Sequence, residues 1–302
     1  MEIKKSIAQG VGKGELYDVL TELQTLAQYV PCSGETYYVS PNGNNTTGLS
    51  WKNAFTTISA AVTASDAYID ALGTTYVGKN RIYIDGGQYA ALTALPKKCD
   101  MIGCGGNLVR VAGSSVIATA ALFCHIYNMW FTTITAASIV ELPAECAGIE
   151  FHNCVFRNDH ATGTYGLKIG ANSQIFKVDN CQFIGNGHSS ITGIYFGDGC
   201  EWSEITNNTI CALTSGITIA AGQGNYQTVI KNNIIGDFDI FATQLATGIT
   251  IEEAQGRCLV VIVANWISAA VPISNVATYP NMIINNHAVV AGNGYLVTEE
   301  TP

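Results

Sequence analysis

Seven times between residues 126 and 288 the chain repeats one short pattern. An apolar residue is followed by two intervening positions, a fourth position that is Cys or Asn in six of the seven copies, and an apolar residue two places on. The copies start at Ile126, Phe151, Val178, Ile205, Ile230, Ile262 and Ile283. Their fourth positions are Met129, Cys154, Cys181, Asn208, Asn233, Asn265 and Asn286, at successive intervals of 25, 27, 27, 25, 32 and 21. Periods of this length are the signature of a solenoid.

A second column runs beside the first. Gly166, Gly193, Gly216 and Gly248 each open a Gly-apolar-x-apolar run. They precede Cys181, Asn208, Asn233 and Asn265 by offsets of 15, 15, 17 and 17. Apolar residues alternate within each short segment, which is strand periodicity rather than helical periodicity. Gly, Asn, Ser and Thr fill the gaps. This predicts an all-β chain: a right-handed, single-stranded parallel β-helix of about eight coils, from near Arg81 to near Val290. Interior positions of such a stack meet equivalent neighbours about 4.8 Å away, which aliphatics, Cys and Asn accept well. The Asn column then reads as a hydrogen-bonded turn ladder rather than a binding site.

Charged residues make up only 12% of the 302 residues, and hydrophobic residues 48%. Disorder needs the opposite balance. Lys and Arg number 14 against 23 Asp and Glu, a net charge of −9. That argues against nucleic acid and anionic membrane as partners, since both reward clustered cations. No apolar run approaches the ~18 residues of a spanning helix. The start, Met1-Glu2-Ile3-Lys4-Lys5, has no apolar signal core. The ten cysteines form no Cys-x-x-Cys pair and no His clusters with them, so neither a metal nor another cofactor is expected. They are expected to be reduced and buried, acting as small apolar residues. Cys154 and Cys181, in one column, are the pair close enough to oxidise.

Residues 1–33 stand apart as a helical segment. Leu16, Val19, Leu23, Leu26 and Val30 are spaced 3, 4, 3, 4, a heptad seam two heptads long. Two heptads do not hold alone, so the seam packs on its own domain or serves as a trimer stem or docking helix. Residues 34–80 then supply an opening strand and a capping helix, and 81–302 the solenoid. Tyr37 to Asn45, Gly48 to Val62, Arg81 to Tyr89 and Met101 to Gly106 resemble the opening of pectate-lyase-like parallel β-helix proteins. In that superfamily a strand and a Gly/Asn turn precede a helix that caps the open end. Phe55, Ile58, Val62, Ile69 and Leu72 would form the buried face of that helix here. The resemblance covers roughly residues 36–290 and speaks to fold, because this fold hosts lyases, hydrolases, epimerases and inert viral spikes.

The family's catalytic motifs are missing. There is no Trp-x-Asp-His, no Arg-x-Pro-x-x-Arg and no Asp-Asp pair; Gly187-His188-Ser189 is a faint trace of Gly-His-Gly. Glycosidases need two carboxylates about 5 Å apart, or ~6.5–9.5 Å apart, according to stereochemistry. Five places after the column glycines stand Ala171, Asp198, Ala221 and Glu253, so Asp198 and Glu253 fall two rungs apart and form the catalytic candidate. The plainer reading is two solvated turn carboxylates. Tyr195, Trp202, Tyr226 and Trp266 fall at outward or turn positions, suited to a subunit interface, to glycan contact, or to a plain surface or core role.

These features favour a non-enzymatic virion surface protein: a phage capsid decoration, head spike or short tail spike, assembled in the host cytoplasm. It is expected as a homotrimer that docks on other virion proteins through residues 1–33 and contacts host glycans. The alternative is a tailspike-like polysaccharide depolymerase, a hydrolase or lyase acting through Asp198 and Glu253. A bacterial carbohydrate-active enzyme is a third reading.

Overall fold

The computed structural model describes residues 33–73, 78–105, 108–160, 162–185, 191–211, 214–221, 227–236, 245–252, 260–275, 282–290 and 293–295. The segment 1–32 lies outside them, and with it the predicted seam of Leu16, Val19, Leu23, Leu26 and Val30. The described chain winds into a right-handed parallel β-helix with three sheets. One coil supplies a strand to each sheet in turn, as in Glu150–His152, Val155–Asn158 and Tyr165–Ile169, before Lys177–Asp179 begins the next.

The first sheet has ten strands, from Ser33–Val39 to Met282–Ile284. The second runs from Gly87–Ala90 to His287–Val290 and is closed by an antiparallel strand, Asn293–Tyr295. The third has seven strands, Ser115–Val116 to Val271–Asn275. Nine first-sheet strands follow from Lys79 onward, and Ser33–Val39 pairs in parallel with Lys79–Ile84 as one rung more. The opening strand is therefore part of the solenoid, which the Asn/Cys column could not reveal because that column begins only at Met129.

The core is a set of inward columns. Phe131, Phe156 and Phe183 follow one another on the second sheet, with centroids 5.4 and 4.6 Å apart and the latter pair parallel within 1°. Gly216 and Gly248 face this core from the third sheet, where a Cβ on Gly216 would collide with the Gly248 carbonyl oxygen. The N-terminal end is closed by helix α1 (Ile58–Leu72), capped by Thr57, whose hydroxyl accepts the Ala60 N–H. Its buried face is Ile58, Ala61, Val62, Ser65 and Ile69. Phe55 precedes the helix and bridges to Val39, and Leu72 is 42% exposed, so the predicted face ends one turn earlier. No helix among the described residues is long and apolar enough to cross a membrane.

The turn from the first sheet to the second carries the ladder. Asn208, Asn233, Asn265 and Asn286 are all buried. Each side-chain oxygen accepts the backbone N–H of the ladder residue one rung before: Cys181, Asn208, Asn233 and Asn265. Each side-chain Nδ2 donates to a carbonyl of the preceding rung: Val178, Ile205, Ile230 and Ile262. Cys154 and Cys181 continue the column with sulfur doing both jobs more weakly. Cys181 Sγ accepts the Cys154 N–H at 3.4 Å and donates to the Phe151 carbonyl at 3.5 Å. The residue just before the ladder position is left-handed at every described turn: Asn128, Asn153, Asn180, Asn207, Asn232, Ala264 and Asn285. Asn tolerates that conformation best after Gly, and Ala264 is the exception in the column.

Candidate functional site

The candidate site lies on the outward face of the third sheet. The strands here read Tyr165–Ile169, Thr192–Phe196, Ser215–Ile219, Thr247–Ile251 and Val271–Asn275, in unbroken parallel register. Leu167, Ile194, Ile217 and Ile249 face inward and are fully buried, which turns the residues that follow them outward. Two columns line this face. One is Tyr165, Thr192, Ser215, Thr247, Val271; the other is Glu141, Lys168, Tyr195, Thr218, Thr250, Ser274.

At the N-terminal end of this face Tyr165 and Tyr195 meet across one rung, ring centroids 4.7 Å apart and planes tilted by 42°. Lys168 Nζ lies 5.8 Å from the Tyr165 ring centre and 2.6 Å from Glu141 Oε1. That hydrogen bond, above all, raises the lysine's pKa and keeps it charged. Partial burial, then the neighbouring Tyr165, raise the Tyr195 phenol. The cluster thus combines a wedge of two phenol rings with a cation already held by its own carboxylate.

The first-sheet face carries a denser array that is closed on itself. One outward column reads Asp100, His125, Glu150, Lys177, Glu204, and the next Ile102, Tyr127, His152, Asp179, Thr206. His152 Nε2 donates to Glu150 at 2.7 Å. His125 stands 3.4 Å from Asp100 and 3.5 Å from Glu150, and Lys79 Nζ lies 2.9 Å from the His125 ring nitrogens. Burial, then the adjacent Lys79 ammonium, lower the His125 pKa. The His152 hydrogen bond holds the Glu150 carboxyl below its ordinary value. Burial alone would raise Asp179; hydrogen bonds from Thr206 and Asn207 outweigh it and leave this carboxyl lowered.

The rings on this face are closed too. Tyr127 lies flat on His152 at 4.9 Å and 11°, and Tyr38 on Tyr83 at 5.8 Å and 27°. A ring laid flat on its neighbour has that face covered, whereas the two third-sheet tyrosines meet at a 42° tilt. The first-sheet array is a self-satisfied ladder. Sequence reading missed it, although the positions flanking Ile126, Phe151 and Val178 in the repeat spell His/Tyr, Glu/His and Lys/Asp.

The aromatic residues singled out from the sequence occupy three separate places. Tyr195 is on the third-sheet face. Trp202 is a left-handed residue, 48% exposed, at the turn from the third sheet to the first. Trp266 is 49% exposed on the second sheet, against His287 at 5.9 Å. They do not form one row, because the repeat puts each at a different point of the coil. Tyr226 lies outside the described residues. Asp198 sits in the turn after Thr192–Phe196, where its carbonyl accepts the Asn172 N–H. Phe196, Ile219 and Ile251 are successive rung neighbours, and Glu253 is outside the described residues. Among the described residues no group of three or more His, Cys, Asp or Glu is placed to hold a metal ion. A cavity of about 290 Å³ beside the first turns of α1 is lined by residues 56–59, 62–63 and 88–94, none of them charged.

No known family's sequence profile matches the chain, and no curated protein matches it in sequence. Solved structures do resemble it. Pectate lyase Pel9A superposes with a TM-score of 0.58 at 15% identity, covering 88% of this chain and 72% of its own. That likeness supports the pectate-lyase-like parallel β-helix fold and nothing finer. A pectin methylesterase from Aspergillus niger (TM-score 0.48, 15% identity, covering 90% of this chain and 92% of its own) shares less. So does the tailspike protein of E. coli bacteriophage HK620 in complex with a pentasaccharide (0.42, 11%, covering 79% and 60%).

Proposed function

We propose that this chain is a non-enzymatic, glycan-contacting β-helix whose third-sheet face is the contact surface. The observation that carries the reading is the half-buried Tyr165–Tyr195 pair on the outward face, its rings tilted by 42° and flanked by Lys168. Sugar rings stack their C–H faces on aromatic rings, and phenol hydroxyls serve the rim of such a contact. What supports a binding role over a catalytic one is that the face's cation and carboxylate are spent on each other at 2.6 Å. A general base needs a pKa near the working pH, and Lys168 is shifted the other way.

The setting proposed is a virion surface, as a capsid decoration, head spike or short tail spike, with three copies joined laterally and by residues 15–30. It rests on the absence of the family's catalytic motifs and on the heptad seam. Light scattering with and without residues 1–33 tests the trimer, and a monomer in both removes it. A glycan array probed with the wild type, Tyr165→Ala and Tyr195→Ala tests the contact surface. Binding by the wild type that both variants lose supports it. A Tyr195→Ala variant that instead falls from trimer to monomer makes the face a subunit interface. Reducing ends or unsaturated uronates released by the wild type, and lost in Asp198→Asn or Glu253→Gln, would establish the depolymerase alternative.

A further inference from the structure

We infer that the glycan held on the third-sheet face is uncharged, built from hexose or N-acetylhexosamine units without carboxylate, sulfate or phosphate. The inference rests on the reading above, that this face binds a glycan, and adds the chemical class.

Three observations carry it. The first is the state of the one cation on the described part of the face. Lys168 is bound to Glu141 at 2.6 Å and leans toward the Tyr165 ring, so an anionic sugar would have to displace a carboxylate already in place. Recognition of planar carboxylates and sulfates favours arginine, and Arg81, Arg110 and Arg157 all stand on the first and second sheets.

The second observation is the rim. The turns that lead from this sheet to the first carry Glu145, Asp198, Glu201 and Glu252, and no Lys or Arg among their described residues. A polyanion laid along the face would run beside a row of carboxylates, and like charges juxtaposed at an interface disfavour a partner strongly.

The third is what continues the face beyond the tyrosines. From Thr192 onward the two columns offer Thr192, Ser215, Thr247 and Thr218, Thr250, Ser274, with Thr218 buried and the first column ending on the exposed Val271. All of these but Val271 are short hydroxyl side chains, and each hydroxyl both donates and accepts. Such a track matches the hydroxyl rim of a neutral sugar chain running along the solenoid axis. It supplies no counter-charge.

The test is titration calorimetry of the full chain with two sets of size-matched oligosaccharides, at low and high salt. The neutral set holds malto-, cello-, manno- and chito-hexaose. The acidic set holds oligogalacturonate, heparin hexasaccharide and oligosialic acid. The expected result is binding to a neutral member that changes less than about threefold with salt. Tyr195→Ala should weaken it about tenfold, the worth of one stacked ring. Glu141→Gln frees Lys168 and should add salt-sensitive binding of an acidic member that the wild type lacks. Salt-sensitive binding of an acidic member by the wild type, lost in Lys168→Met, would overturn the uncharged class while leaving the glycan reading intact. Silence toward both sets, and toward a broad glycan array, would sink the glycan reading itself.

Discussion

The side-chain oxygen of Asn265 accepts two hydrogen bonds from Asn233, one from its backbone N–H and one from its Nδ2, each at 2.9 Å. Neither residue is more than 1% exposed. Asn233 in turn serves Asn208 in the same way. Replacing Asn233 with Leu removes the acceptor for Asn208 and strands the Ile205 carbonyl. Buried groups left unpaired cost about 1–3 kcal/mol each, so a loss of roughly 2–4 kcal/mol is expected. Urea unfolding of wild type and variant measures it; a change under about 0.5 kcal/mol would mean that the ladder is ornamental.

The left-handed positions make an opposite prediction. Ala264 (φ 54°) stands where every other described turn of its column has Asn, and Ile175 (φ 57°) is a β-branched residue in the same region. Ala264→Asn and Ile175→Asn should each stabilise by about 0.5–1 kcal/mol, because Asn relieves a conformational penalty of about 1–2 kcal/mol only in part. Ile175 is 45% exposed, so little burial is lost in exchange. Melting temperatures that fall in both variants would contradict this.

His125 sets the acid limit. Its folded-state pKa is lowered from 6.5, so folding opposes its protonation. Stability is whole above the ordinary histidine value and declines as the pH falls through it. Glu150 and Asp179 are lowered as well, which adds stability that is present above their ordinary 4.5 and 3.8 and lost below them. The groups facing His125 are Lys79, Asp100, Tyr127, Glu150 and His152. Lys79→Gln should raise the His125 midpoint in an NMR titration, because it removes one of the causes that lower it, after burial. A wild-type midpoint above 6.5 would refute the assignment.

None of the eight described cysteines is in a disulfide, and six of them are buried. Burial pushes the Cys99 and Cys200 thiols up to about 12, and Cys124 and Cys181 well above the ordinary value. Thiolates are the reactive form. In native protein a thiol reagent should therefore spare Cys99, Cys124, Cys146, Cys181 and Cys200 for hours, and burial alone should shield Cys154. Denatured without reductant, the chain should yield close to ten thiols. Mass spectrometry that finds Cys154 joined to Cys181, or Cys99 to its rung neighbour Cys124, would overturn the reduced state.

The solenoid was legible because its interior is repetitive. Cys154, Cys181, Asn208 and the later asparagines all occupy the ladder that their spacing assigned to them, and Lys168, Tyr195, Thr218 and Thr250 share the outward column read from the glycines. Sites were harder to read. Tyr165 and Tyr195 are separated by a full coil of chain and become neighbours only once the register is fixed. Glu141 precedes Lys168 by a full coil too, in a short strand with no glycine to mark it. The solenoid turns distance along the chain into adjacency across it, so pairs that no motif contains become partners.

The asparagine column has a direction. Asn208, Asn233 and Asn265 each lend their backbone N–H and Nδ2 forward, to an oxygen that belongs to the next coil. A coil that has just closed therefore presents two donors awaiting an acceptor not yet delivered. The following coil supplies it and presents the same pair again. The end of the growing solenoid is chemically renewed at each turn, as the step of a crystal is renewed by the row laid against it. That polarity runs from the N-terminus to the C-terminus, the direction of ribosomal synthesis. The molecule can be completed in the order in which it is made, each coil serving as the template that selects the next.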